Sequence, residues 1–209
     1  MMRIEKVAAQ PDRAGRHTVR FEDGSVMRLY RQTVEDFGLY PGKEFTDEEM
    51  AVLKKSAGEM SAKMRAVRIV AASSVSKRDL EYRLVQKGED PKQAKDAVEW
   101  MSDLNLLDDA KTAEQIVGRC IRKGYGLARA KQALYEKRIP KEFWEDALAD
   151  YPDQTESITE YLRAHLKPGY EERELRKATD ALLRRGHNYQ QIRKAMQNLS
   201  QDVDLWEEY

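Results

Sequence analysis

The side chains best placed to do chemistry in this sequence are cations. Arg119, Arg122 and Lys123 stand at i, i+3 and i+4, hence on one helix face, and Arg129, Lys131, Lys137 and Arg138 follow closely. From Lys111 to Lys141, nine Lys or Arg stand against two Glu, a net charge of +7. From Glu142 to Glu160 there are seven acids and no Lys or Arg. A solvated helix face usually mixes its charges, and cations near a helix C-terminus offset the dipole by roughly 0.3–1 kcal/mol each. Segregation by segment points further, to a surface for phosphate groups or for an acidic protein face. Lys77, Arg78 and Lys87 upstream, and Arg184 with Arg185 downstream, extend the candidate surface.

Bond-making chemistry has no comparable support. His17, His165 and His187 are scattered, and none has metal-ligand spacing with Cys or another His. His165 falls on an apolar stripe and reads as a hydrogen-bonded core residue. The single Cys120 also lies on an apolar stripe, so it reads as a small buried hydrophobe. It excludes an internal disulfide and suits a reducing compartment. Asp108 and Asp109 could form a carboxylate pair, but helix capping accounts for Asp108. Gly124 and Gly126 lack the G-K-[ST] that would follow in a phosphate loop. The sequence therefore predicts no catalytic group, no metal and no cofactor.

The elements that must carry the cations are helices. Asp108 caps one whose inward stripe is Ala113, Ile116, Val117, Cys120 and Ile121, and Gly124 ends it. A second follows with Leu127, Ala130 and Leu134 inward, and Pro140 opens a third with Phe143, Trp144, Ala147, Leu148 and Tyr151 on one face. Upstream, Thr46 and Glu49 form a capping box opening a long helix towards Ala72, with Met60, Met64, Val67 and Ala71 inward. Ser76 and Asp79 open the next, with Leu80 and Leu84 inward and Gly88 as its stop. Asp90-Pro91 opens another, carrying Ala94, Ala97, Val98 and Met101. Downstream, Ile158, Tyr161, Leu162, His165 and Leu166 mark one helix, and Leu175, Ala178, Leu182 and Leu183 a second, ended by Gly186. Asn188 caps a last one bearing Ile192, Ala195, Met196 and Leu199. Residues 2–30 alternate instead, giving short strands with a hairpin turn at Glu22–Ser25, and Thr33–Phe37 forms a short helix. The acidic tail 201–209 has only Leu205, Trp206 and Tyr209 as anchors.

These helices repeat. Leu84, Leu134 and Leu182 fall in one column, Gly88, Arg138 and Gly186 in the next, and Ala97, Ala147 and Ala195 in a third, always with steps of 50 and 48. Three tandem three-helix units result, each too small to be strongly stable alone. The expected architecture is mainly α, an elongated curved array behind an N-terminal β-hairpin segment. Its parts are 1–45, 46–106 with the long leading helix, 107–152, 153–200 and the tail 201–209.

The bulk numbers agree. At 209 residues with 35% charged side chains and zero net charge, the chain is not a globally cationic nucleic-acid binder, though it is locally basic. No apolar run approaches the ~18 residues of a membrane span, and the start carries no signal-peptide pattern, so cytoplasm is the expected location.

The motifs S-K-R-D-L-x-x-x-L-x-x-K-G (Ser76–Gly88), L-L-D-D-x-x-x-A (Leu106–Ala113) and K-G-x-x-x-x-R-A-x-x-A-L-x-x-K-x-I (Lys123–Ile139) occur in order. In these the chain resembles RecX, the bacterial regulator of the RecA recombinase, over nearly its whole length. It departs from that family at Glu89, where an aromatic or apolar residue is usual, at Thr112 for Phe, and at Arg138 for Gly. The resemblance implies a monomeric, non-enzymatic protein that binds RecA filaments, with single- or double-stranded DNA as a further partner. It implies damping of ATP hydrolysis, filament growth and strand exchange, hence a role in recombination, DNA repair and the SOS response. Two other classes compete: a sequence-independent nucleic-acid binder acting without RecA, and a helical-repeat scaffold for another protein.

Overall fold

Alternating apolar residues build the first element pairings. Strands β1 (Met2–Val7), β2 (Arg16–Phe21) and β3 (Val26–Tyr30) are antiparallel, and bury Ile4, Val19, Phe21 and Leu29 on one face. Gly24, at φ +81°, closes the β2–β3 hairpin. A two-residue strand, β4 (Glu44–Phe45), pairs with β1 and completes the sheet order β3-β2-β1-β4. It escapes the sequence pattern because two residues carry no periodicity. Helix α1 (Arg31–Asp36) starts directly off β3, two residues before the expected Thr33.

The computed structural model describes residues 1–167 and 169–207, with side chains through residue 199. The chain forms two compact units, residues 1–107 and 108–209. In the first, α2 (Asp47–Ala72) opens on a complete capping box between Thr46 and Glu49. Its N-terminal half seals the sheet with Met50 and Leu53. Its C-terminal half packs on α3 (Lys77–Gln86) and α4 (Pro91–Asp103). The inward positions there are Ala62 and Ala66, both fully buried, whereas Met60, Met64 and Val67 are half-buried and Ala71 is exposed. Small side chains win these positions because α4 comes close: Gln93 of α4 lies across Gly58 and donates to the Lys55 carbonyl at 3.2 Å. Ser76 and Asp90 cap α3 and α4, and Leu80, Leu84, Ala94, Ala97, Val98 and Met101 are buried.

In the second unit, α5 (Asp109–Arg122) is capped by Asp108, whose Oδ1 accepts from the Lys111 N–H at 2.9 Å. It pairs with α6 (Leu127–Glu136), and a 3₁₀ turn (Lys141–Phe143) leads into the short α7 (Trp144–Leu148). Leu127 is exposed rather than inward, since the start of α6 packs through its backbone and the buried stripe begins at Ala130. Helices α8 (Thr155–His165), α9 (Glu172–Arg184) and α10 (Tyr189–Glu207) enclose another core around Ile158, Leu162, Leu182 and Ile192. Leu183 is exposed, being about 100° around the helix from the buried Leu182. His165 is exposed as well: its ring stacks on Tyr161 at 3.9 Å and its Nδ1 lies 2.8 Å from the Tyr161 carbonyl. Asn188 caps α10, which continues helically past residue 200 into the expected tail. The side chains of Leu205, Trp206 and Tyr209 lie outside the described residues.

The repeat column that ends each second helix has one backbone conformation. Gly88 and Gly186 have φ +87°, and Arg138 adopts +54° despite its Cβ. A left-handed residue is needed there to close the helix, so the period enforces the geometry where the sequence departs from glycine.

Candidate nucleic-acid and protein interface

The C-terminal end of α5 and the N-terminal end of α6 meet at the loop Lys123–Gly126, and six of the second unit's eighteen Lys and Arg stand near it. Arg119 and Arg122 occupy the last turn of α5 and Lys123 is its C-cap, all exposed. They face the partial negative charge of that helix end. Arg129 lies across the loop and pairs with Glu136 at 3.0 Å, an interaction that holds the Glu136 carboxyl below its usual range. Arg119, Lys123 and Arg129 all bear on the thiol of Cys120, but burial dominates and pushes that thiol up. Cys120 is thus packed in the core as a small buried side chain.

The end of α9 brings Arg184 and Arg185 to the same place. The carbonyls of Arg185 and Gly186 accept from the N–H groups of Gly126 and Ala128, at 2.9 and 3.3 Å. Helix α6 has no side-chain cap, so the C-terminal carbonyls of α9 satisfy its first donors and oppose the two helix dipoles favourably. The approach is backbone on backbone. A Cβ at Gly126 would stand 2.0 Å from the Gly186 oxygen, and one at Gly186 would stand 2.3 Å from the Arg129 nitrogen. Two further bonds clamp the loop. The Tyr151 hydroxyl donates to the Tyr125 carbonyl at 2.6 Å, and His187 Nε2 lies 3.0 Å from the Gly124 carbonyl. His187 is buried, and burial, seconded by Arg185, holds its imidazole below the ordinary range against the opposing effect of the Gly124 bond. Burial pushes the Tyr151 phenol up to about 12. Arg185 itself is seated over the Tyr161 ring at 4.7 Å.

Six cations therefore stand on the helix ends that meet at this loop: Arg119, Arg122, Lys123, Arg129, Arg184 and Arg185. Lys131 stands further along α6. Lys137 and Arg138 lie at the opposite end of that ten-residue helix, roughly 12–15 Å from Arg129. Lys77, Arg78 and Lys87 belong to the first unit, at the two ends of α3. Among the described residues no group of three His, Cys, Asp or Glu could hold a metal. Asp108 is occupied as a cap, and Asp109 beside it is buried. Sequence reasoning missed Gly126 and His187 as the residues that join repeat to repeat. Of the three histidines, the one expected in a core is exposed and its neighbour in sequence order is buried.

This arrangement sits on a stretch with known relatives. The family profile described as RecX, second three-helix domain, matches residues 108–148, which span α5, α6 and α7. The regulatory protein RecX of Vibrio cholerae serotype O1 is 30% identical over 145 residues, covering 68% of this chain and 95% of its own. The chain belongs to the RecX family. Regulatory protein RecX of Chromohalobacter salexigens is 29% identical over 143 residues, with 68% of this chain and 94% of its own covered. A crystal structure of regulatory protein RecX superposes with a TM-score of 0.60 at 19% identity, over 93% of this chain and all of that one. RecX from Lactobacillus salivarius gives 0.57 at 21% identity over 69% and 98%. These RecX structures share the mainly helical fold. Among the described residues, no helix is long and apolar enough to cross a membrane.

Proposed function

We propose that the chain is a non-enzymatic regulator that binds the RecA–DNA filament and restrains RecA's ATP hydrolysis, filament growth and strand exchange. One observation carries this reading: six cations from two sequence-distant segments stand near a loop that four hydrogen bonds, two to backbone carbonyls and two from side-chain donors, tie in place. Lys and Arg carried on a tied backbone suit phosphate or an acidic protein surface, because the loop itself need not be ordered on contact. Membership of a family of regulatory proteins agrees with binding as the activity.

The test is ATP hydrolysis by the cognate RecA on single-stranded DNA with the protein titrated in. Wild type should inhibit well below one molecule per RecA protomer. Reversing Arg122 and Lys123 together to Glu should weaken inhibition at least tenfold, at roughly 1.4 kcal/mol per factor of ten, with the melting transition unchanged. Both side chains are exposed and neither builds the loop clamp, so folding should not intervene. Undiminished inhibition by the double variant removes the assignment of this cluster.

A further inference from the structure

The first unit carries a second cationic site that the repeat pattern does not reveal. Arg65, Arg68, Ile69 and Ala72 stand at i, i+3, i+4 and i+7 on α2. They face Arg83 and Lys87 of α3 across a groove of about 330 Å³, with Ser73 at the end of α2. Each of the three guanidinium groups is held from one side. Glu89, which is buried, accepts from Arg65 Nε at 2.6 Å and from the Ser61 hydroxyl at 3.0 Å. Asp79, also buried, lies 2.9 Å from Arg83 Nη2. Arg68 Nη2 donates to the Ala14 carbonyl and the Tyr30 hydroxyl, both at 2.8 Å, and its guanidinium lies over the Tyr30 ring.

Such partners orient long side chains before any ligand arrives, and a guanidinium with five N–H donors keeps several for the groove. Lys87 is exposed at the C-terminal end of α3. Four cations against Glu89 and Asp79 leave a local charge of +2, and both carboxylates are already engaged in orienting arginines. The floor, Ile69 and Ala72, is apolar. The groove is open to solvent, and its volume is more than a bare anion fills.

We infer that this groove holds one nucleotide unit of a nucleic-acid chain, its phosphate on Arg65, Arg83 and Lys87 and its sugar and base against Ile69 and Ala72. The cations approach from two walls, α2 and α3. The two non-bridging oxygens of a phosphodiester can each meet one wall, while the sugar and base attached to it supply the apolar surface that Ile69 and Ala72 can cover. The site shares no residue with the cluster around Lys123–Gly126, so it stands or falls separately from the filament reading.

The experiment measures binding of the full-length protein to a fluorescein-labelled oligothymidylate of about fifteen nucleotides by anisotropy, over a series of salt concentrations. Four proteins are compared: wild type, Lys87→Glu, Arg65→Lys and the Arg122→Glu/Lys123→Glu double variant. Lys87→Glu should raise Kd about tenfold and reduce the log–log salt slope by roughly 0.7, the increment for one phosphate contact on a single strand. Arg65→Lys keeps the charge beside Glu89 but loses the fork, and should raise Kd severalfold at an unchanged thermal midpoint. Wild-type affinity in both groove variants, while the double variant is weakened, overturns this inference and leaves the filament reading standing. Displacement of the oligonucleotide by inorganic phosphate at matched ionic strength would show a free-phosphate site and overturn it too. So would loss of labelled polyglutamate binding in Lys87→Glu with oligonucleotide binding retained, which would mark an acidic protein as the occupant.

Discussion

Replacing Gly126 by alanine should reverse the sign that local backbone preference assigns. Gly126 has φ −77° and ψ 165°, an extended conformation that any residue adopts. In open space the substitution would therefore stabilise by about 0.4–1 kcal/mol, by restricting the unfolded chain. The structure forbids that gain. The new Cβ would lie 2.0 Å from the Gly186 oxygen, 2.2 Å from its carbonyl carbon and 2.4 Å from the His187 nitrogen. All three are backbone atoms with no rotamer to yield, so the start of α6 must move away from the end of α9. The Gly126 and Ala128 donors then lose carbonyl partners now at 2.9 and 3.3 Å. Two hydrogen bonds at about 1 kcal/mol each, with ~1–3 kcal/mol of overpacking, place the net loss near 3–5 kcal/mol. Gly118→Ala is the matched control: it sits inside α5 with only the flexible Arg122 guanidinium nearby, and should stabilise by roughly 0.5–1 kcal/mol. Urea titration gives both signs, and amide hydrogen exchange at residues 126 and 128 shows where protection is lost. A Gly126→Ala protein as stable as wild type would refute the backbone contact and the junction built on it.

Two further outcomes follow from the same geometry. His187 is held below its ordinary pKa in the folded chain, so the unfolded chain binds the extra proton more readily; stability is complete above about pH 6.5 and declines as pH falls below it, by at most ~1.4 kcal/mol per pH unit. Among the described residues its buried Nδ1 has no hydrogen-bond partner to take up the added proton, so urea midpoints should fall on acidification in wild type and fall less in His187→Gln; identical pH profiles would reject the assignment. Gly88→Ala and Gly186→Ala separate backbone strain from contact. Both positions have φ +87°, but a Cβ at Gly88 meets nothing within 4 Å whereas one at Gly186 meets Arg129, so the first should cost about 1–2 kcal/mol and the second clearly more. Equal melting temperatures for the two would contradict the end-to-end packing.

Local chemistry made much of this fold readable. Thr46, Ser76, Asp90, Asp108 and Asn188 announce helix starts because a capping oxygen acts within three residues, a distance that sequence preserves. The repeat period located the left-handed column, including Arg138. What stayed hidden depends on volume and on distant partners. The buried face of α2 follows Ala62 and Ala66 because a neighbouring helix comes close, and apolar size alone pointed to Met60 and Met64. Leu183 stands one residue's rotation from the buried Leu182, and Leu127 stands where the start of α6 packs through its backbone. The groove arginines were invisible for a related reason. Their orienting acid Glu89 stands out in sequence only as a departure from an apolar position, and its role becomes clear when Arg65, 24 positions earlier, is found against it. Of the candidate cations, those on α5 were legible as one face. Their union with Arg184 and Arg185 required the meeting of two glycines that no periodicity connects.

That meeting also has an order in time. The contact between His187 and the Gly124 carbonyl joins residues 63 positions apart, and the same stretch supplies the carbonyls for the first donors of α6. During synthesis at ~5–20 residues per second, α6 is complete in sequence for about 2.5–10 seconds before its acceptors exist. Until then its leading N–H groups are left to water and the nascent loop is unclamped. A ribosome pausing in that interval would hold the chain with its central cations already made but not yet fixed in place.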